Sequence, residues 1–183
     1  TSGSPSGPGY IWILTPETLS GSGGPNSIKI DGDITVYGQS VILKAGNKIQ
    51  VDGEITTGNS SFAGGVDIHA YKGADGGTST EFVIGGSGQS NGVNGNINCS
   101  TAGSGVGFIF VQNYGSGGIK VESTSALTMQ VSGGRNGSIA LDAKDGALTL
   151  PAGTISVDGS GSNAAGRIII MGDSIVATAG ATT

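Results

Sequence analysis

The chain has 183 residues, 37 of them glycine, with 11% charged and 5% aromatic residues and a formal net charge of −5. Ordinary domains carry about 7% glycine and about 25% charge, so this is not the composition of an average enzyme. Its eight Lys and Arg are scattered, which sets aside nucleic-acid binding, and its 36% hydrophobic content sits in β-branched runs that a disordered linker would lack.

The first apolar run is "YIWIL", residues Tyr10, Ile11, Trp12, Ile13 and Leu14. A membrane span needs about 20 apolar residues, and a signal peptide needs a basic flank, so this run reads as a strand. The chain does not begin with Met, and both ends fall in repeat-like sequence. It therefore reads as a processed chain or a segment of something longer.

Next come "IKIDGDITVYG" from Ile28 and "IQVDGEITTG" from Ile49, which match almost letter for letter at an offset of 21. Ile28 falls on Ile49, Ile30 on Val51, Asp31 on Asp52, Asp33 on Glu54 and Ile34 on Ile55. Apolar residues two apart mark strands, and the Asp-Gly pairs between them mark turns. The same plan of two apolar pairs around a polar link recurs in "VILKAGNKIQV", "IKVESTSALTMQV" and "IALDAKDGALTL". From Ile119 to Ile139 the step is 20 residues.

In "DIHAYKG" the only histidine, His69, follows an inward Ile68. It is expected to face outward as a lone polar side chain. Residues 71–80 and 85–95 are nearly pure Gly, Ser, Asn, Thr and Asp, and read as loop insertions. The single cysteine, Cys99, has no basic neighbour in "NINCSTAG" and reads as a small buried apolar group. A Gly-rich turn opens the later strands, as in "SGGIKVE", "RNGSIALD" and "AAGRIIIM".

A period near 20 with short strands in each period predicts an all-β solenoid over residues 1–183, as one unit. Each coil leaves its inward face uncovered until a neighbour stacks on it. Ile28, Ile30 and Ile34 would then lie under Ile49, Val51 and Ile55. About nine coils of about 20 residues are expected, each adding about 4.8 Å. An alternating-strand β-sandwich is the alternative fold.

The acidic corners Asp31, Asp33, Asp52 and Glu54 would lie one strand spacing apart if the repeats stack. Solvation and splaying, or a Ca²⁺ ion with its several oxygen ligands, would relieve their repulsion. The solvated turn is the favoured reading, so no metal or other cofactor is assigned, and calcium is kept as the alternative. Asn59, Asn98 and Asn136 stand in Asn-x-Ser sequons and are candidate glycosylation sites. One histidine and no elbow motif leave no Ser/His/Asp arrangement, and "GGSGQSNG" lacks the Gly-Lys-Ser/Thr ending of a phosphate loop.

"GYIWILTPETLSGSGG", "GTISVDGSGS" and "NAAGRIII" resemble the degenerate repeats of filamentous-haemagglutinin-like adhesins and related bacterial surface proteins. That resemblance implies a right-handed parallel β-helix in a large secreted or surface-anchored protein. The chain departs from it in lacking a recognisable secretion domain and in the insertions at 71–80 and 85–95.

The expected function is therefore structural and extracellular or at the cell surface: a spacer of an adhesin, or part of a filament, with no enzymatic activity. A polysaccharide-cleaving β-helix enzyme is the alternative. Expected partners are a second copy joined end to end, or flanking parts of a longer chain, with residues 10–14 as the docking strand, besides contact with a surface or glycan.

Overall fold

The computed structural model describes residues 10–16, 26–74, 76–101, 107–131, 137–155, 157–159, 166–178 and 181–182. The short β-branched runs of the sequence become strands. They are β1 (Tyr10–Leu14), β2 (Ile28–Ile30), β3 (Ile34–Thr35), β4 (Ser40–Lys44), β5 (Ile49–Val51), β6 (Ile55–Thr56) and β7 (Gly65–Ala70). Then follow β8 (Phe82–Ile84), β9 (Gly92–Val93), β10 (Ile97–Asn98), β11 (Phe108–Asn113), β12 (Ile119–Val121) and β13 (Leu127–Val131). The last are β14 (Ser138–Asp142), β15 (Ala147–Leu150), β16 (Gly153–Thr154), β17 (Val157–Gly159), β18 (Arg167–Met171), β19 (Ser174–Ala177) and β20 (Ala181–Thr182). The one helical element among the described residues is a 3₁₀ turn at Thr124–Ala126.

The first sheet has the order β1-β4-β7-β11-β14-β18, the second β19-β15-β12-β8-β9-β5-β2, and the third β17-β13-β10-β6-β3. A two-stranded pair, β16-β20, stands apart from them. The chain visits first, second and third sheet in turn and then returns to the first. Every ladder among the described residues is parallel, from β1 on β4 to β15 on β19. A Greek-key sandwich needs antiparallel hairpins, so that alternative fails. The parallel arrangement is compatible with a β-helix.

Inward residues pile into columns. In the first sheet Val41, Val66, Ile109, Ile139 and Ile168 form one, and Leu43, Ile68, Val111, Leu141 and Ile170 another. In the third sheet Ile34, Ile55, Ile97 and Leu127 stack. In the interior of the stack these side chains are fully buried, and each contributes about 1.5–3 kcal/mol by leaving water. Ile28 pairs with Ile49, Ile30 with Val51 and Ile34 with Ile55, as the repeat at 21 implies. At the corner between them, a Cβ on Gly53 would run into the Asp33 side chain and the Gly32 backbone. Only glycine lets the two acidic corners stack this closely.

The expected coil length of about 20 is corrected. Successive strands of the first sheet begin at residues 10, 40, 65, 108, 138 and 167, so the step is mostly near 30 and the layers number six there rather than nine. The reason is that each layer threads three strands and their connections, and only the corner at 28–55 is short enough to echo at 21. The step from Ile119 to Ile139 is not a coil at all. Ile119 pairs with Phe82 and Leu148 in the second sheet, whereas Ile139 pairs with Ile109 and Ile168 in the first.

The insertions also differ from one another. Among the described residues, 71–80 carry no strand. Residues 85–95, expected as a loop, contain β9, which pairs with both β8 and β5. The chain turns back on itself after β8 and lays a second strand in the same sheet. That is why the second sheet has seven strands against six in the first.

Candidate functional site: the outer face of the first sheet

Strand alternation sends every second residue of the first sheet outward. Register then sets these residues side by side in rows. One row reads Trp12, Ile42, Asp67, Phe110, Ala140 and Ile169, and the next Leu14, Lys44, His69, Gln112, Asp142 and Met171. A third row carries Tyr10, Ser40, Gly65, Phe108, Ser138 and Arg167. The Phe108 ring lies across Gly65, where any Cβ would meet the ring.

The middle of this face is polar and tightly held. Asp67 Oδ2 meets Lys44 Nζ at 3.0 Å, and Asp67 Oδ1 meets His69 Nε2 at 2.8 Å. On its other side His69 Nδ1 is 3.4 Å from the Tyr114 hydroxyl, and the imidazole stands edge-on to Phe110 with centroids 5.2 Å apart. Lys144 Nζ lies 5.4 Å from the centre of the Tyr114 ring and 3.7 Å from Asp142 Oδ2. Asp142 Oδ2 also accepts a 2.6 Å hydrogen bond from Gln112 Nε2. The Asp67 and His69 side chains are only 17% and 12% exposed. Burial pushes the Asp67 pKa up, but the hydrogen bonds and charges of His69 and Lys44 outweigh it and hold the carboxyl below its ordinary value.

His69 is thus not the lone surface side chain expected. The spacing of two in "DIH" places Asp67 and His69 on one face, a signal the sequence does carry. Lys44 and Tyr114 come from neighbouring layers 25 and 45 residues away along the chain, at offsets no period announces. The cluster holds two carboxylates, an imidazole and two cations, each already paired. It is suited to presenting a fixed pattern of hydrogen-bonding groups.

The ends of the same face are apolar. Tyr10, Trp12 and Leu14 on β1 are exposed, Trp12 to 62%, and Met171 on β18 is exposed as well. The Tyr10 and Trp12 rings touch edge to face, with centroids 6.2 Å apart. Ile11 and Ile13, the other residues of the expected docking strand, point inward and are packed on the core.

The acidic corners lie elsewhere, between the second and third sheets. Asp31 pairs with Lys29 at 2.6 Å, and the Lys29 hydrogen bond draws the Asp31 pKa down. Asp52 Oδ1 accepts from Gln50 Nε2 at 2.6 Å and from Asn94 Nδ2 at 3.0 Å, while Lys29 is 3.9 Å from its Oδ2. Asp33 accepts from the Glu54 backbone N–H at 2.9 Å, and Glu54 Oε1 lies 3.4 Å from the Thr56 hydroxyl. Among the described residues no three His, Cys, Asp or Glu gather as a metal site. Lys29 thus lies between Asp31 and Asp52, whereas Asp33 and Glu54 meet a backbone N–H and a threonine hydroxyl.

Asn59 is half-buried, and its Oδ1 accepts the Ser61 and Phe62 N–H groups at 2.8 Å each. Asn98 is half-buried on β10, with its Oδ1 on the Ser100 N–H at 3.0 Å. Asn136 lies outside the described residues. Cys99 is fully buried between the Thr57 hydroxyl, 3.1 Å away, and the Phe108 carbonyl. No helix of the described residues is long and apolar enough to cross a membrane.

A comparison of the chain with family models, with curated proteins and with solved structures gives no match.

Proposed function

We propose that this chain is a right-handed parallel β-helix that serves as a structural spacer or fibre-forming part of an extracellular or cell-surface protein, and that it is not an enzyme. The observation that carries the reading is the cyclic order of three parallel sheets with unbroken inward columns. Right-handedness follows from the strong preference of parallel crossovers, about 98% of which are right-handed. Such a stack resists bending because each layer is hydrogen-bonded along its length to the next. The scarcity of charge and abundance of Gly-rich turns agree with the adhesin-like repeats noted in the sequence, which supports the extracellular setting. The outer face of the first sheet, with its fixed polar centre and aromatic end, is the part that would meet a surface or glycan.

The Asp67 and Asp142 carboxylates on that face keep a polysaccharide-cleaving reading worth testing. Each is paired with cations or an amide, which favours a positioning role. Hydrogen exchange of the purified chain should protect the inner strands β4, β7, β11 and β14 together, and strands that exchange without protection would overturn the β-helix and the spacer reading with it. A depolymerisation screen on acidic glycans should show no cleavage, and cleavage lost on Asp67→Asn would establish the enzyme instead.

A further inference from the structure

We propose that the open edge of β18 docks in parallel on the open edge of β1 of a second copy, so that copies join head to tail. This deepens the β-helix reading and rests on it. Among the described residues β1 and β18 are the two outermost strands of the first sheet, each paired there on one side only. Both are five residues long, YIWIL and RIIIM.

Their side chains agree on both faces. With Ile168 set on Ile11 and Ile170 on Ile13, the inward columns continue Ile on Ile. The same register sets Ile169 on Trp12, Met171 on Leu14 and Arg167 beside the Tyr10 ring, where a guanidinium finds an attractive π-face. Trp12, Leu14 and Met171, all exposed in the single copy, are covered together.

The hydrogen bonds are consistent with that register. The Arg167 N–H donates to the Gly137 carbonyl, and the Met171 carbonyl accepts from the Ala143 N–H. Odd-numbered residues of β18 therefore face β14. By strand alternation the N–H and C=O groups of Ile168 and Ile170 face the open edge. On β1 the Thr15 N–H donates to the Lys44 carbonyl, so Tyr10, Trp12 and Leu14 turn their backbone groups to the other side. In a parallel pair, Ile168 must bond Tyr10 and Trp12, and Ile170 must bond Trp12 and Leu14. Those are the groups left free. The backbone allows the inward-on-inward register, and the side chains on both faces select this one.

At the receiving end β2 and β3 are also outermost in their sheets, but Ile28 and Ile34 are already covered, at 4% and 8% exposed, so the apolar surface gained there comes from β1. At the other end Ile175, 55% exposed, and Val176 extend the apolar surface beside β18. A head-to-tail contact uses two different surfaces and leaves one of each free, so it propagates instead of closing.

Trp12→Pro is the discriminating variant. The Trp12 N–H points away from β4, so proline there spares the internal ladder, and edge positions tolerate it. The variant loses its β1 edge and keeps its β18 edge. Sedimentation and electron microscopy of the purified chain should show wild-type oligomers that lengthen with concentration, and Trp12→Pro should associate at least about tenfold more weakly. Added to wild type below stoichiometry, Trp12→Pro should shorten the assemblies, because it can occupy a growing end and offers none. Wild type that stays monomeric at every concentration overturns the proposal and leaves the edge to a flanking segment of a longer chain. Undiminished assembly of Trp12→Pro, or failure to shorten the wild-type oligomers, overturns it in favour of side-by-side association. Hydrogen exchange on the same samples separates this from failure of the β-helix itself. Protected columns in a monomer leave the β-helix standing without the contact, and unprotected ones remove both.

Discussion

Two buried side chains set the sharpest requirements at the residue scale. Asn113, fully buried, donates from Nδ2 to the Thr80 carbonyl at 2.9 Å and the Gly118 carbonyl at 2.7 Å. Asn91 does the same work nearby, accepting the Ile49 N–H at 3.0 Å while donating to Thr80 and Glu81. The Asn113 Oδ1 has no hydrogen-bond partner among the described atoms, so this side chain already tolerates one costly group. Asn113→Asp would turn a carboxylate against two carbonyls. A loss of at least about 3 kcal/mol is expected, from the unsatisfied groups and the buried charge together. Urea unfolding measures it, and a loss below about 1 kcal/mol would show the amide to be dispensable. Cys99 acts through pH. Burial pushes its thiol up to about 12, against a smaller downward pull from Thr57. The folded value lies above the unfolded one. The contribution is therefore complete below the ordinary thiol value and lost as pH rises from there toward about 12, by up to about 1.4 kcal/mol per pH unit. Cys99→Ala should flatten the alkaline arm of the stability curve, and native Cys99 should resist alkylation at pH 8.

At the element scale, β9 decides how much of the molecule could be read in advance. Strand existence was legible, because Ile and Val at spacing two marked nearly every run that pairs. The stacking of Ile28 on Ile49 was legible too, because that one corner is short and its Asp-Gly turn is written twice. Layer length was not, since the link from β7 to β11 grows by a loop and an added strand, and both are composed of the same small polar residues. Val93 is the lone apolar residue in its stretch, yet it is fully buried between Val51 and Ile84. Val93→Ala should therefore cost about 2 kcal/mol, the transfer of its lost methyl groups plus the cavity. Gln89→Ala, a few residues away in the turn, should change stability by less than about 0.5 kcal/mol. Equal, near-zero effects at both positions would mean that residues 85–95 are a surface loop after all. The cluster around His69 escaped for the same reason as β9. Its members meet across layers whose spacing the sequence does not repeat, and only the Asp67–His69 pair lies within one strand.

Across the whole molecule, stability should be graded along the stack instead of uniform. A layer in the middle is covered on both sides, whereas β18 and β19 are covered on one. The burial follows this: Ile68 and Val111 are fully buried, Ile168 and Ile170 at equivalent inward positions are half-buried, and Ile175 is exposed. In a stack where each layer contacts only its neighbours, opening begins at the least covered end and propagates inward. Amides of β7 and β11 should then exchange with close to the global unfolding free energy. Those of β19 should exchange fastest among the ladder strands, with β18 between. The N-terminal end should open later than the C-terminal one, because Ile28 and Ile34 are already covered there. Mass-resolved hydrogen exchange at fixed pH measures the order directly. If β19 proves as protected as β11 in a dilute monomer, opening is all-or-none and the layers are coupled more strongly than neighbour contacts allow. If docking of β18 on β1 operates, the protection of these two strands alone should rise with protein concentration, while that of β7 and β11 stays fixed.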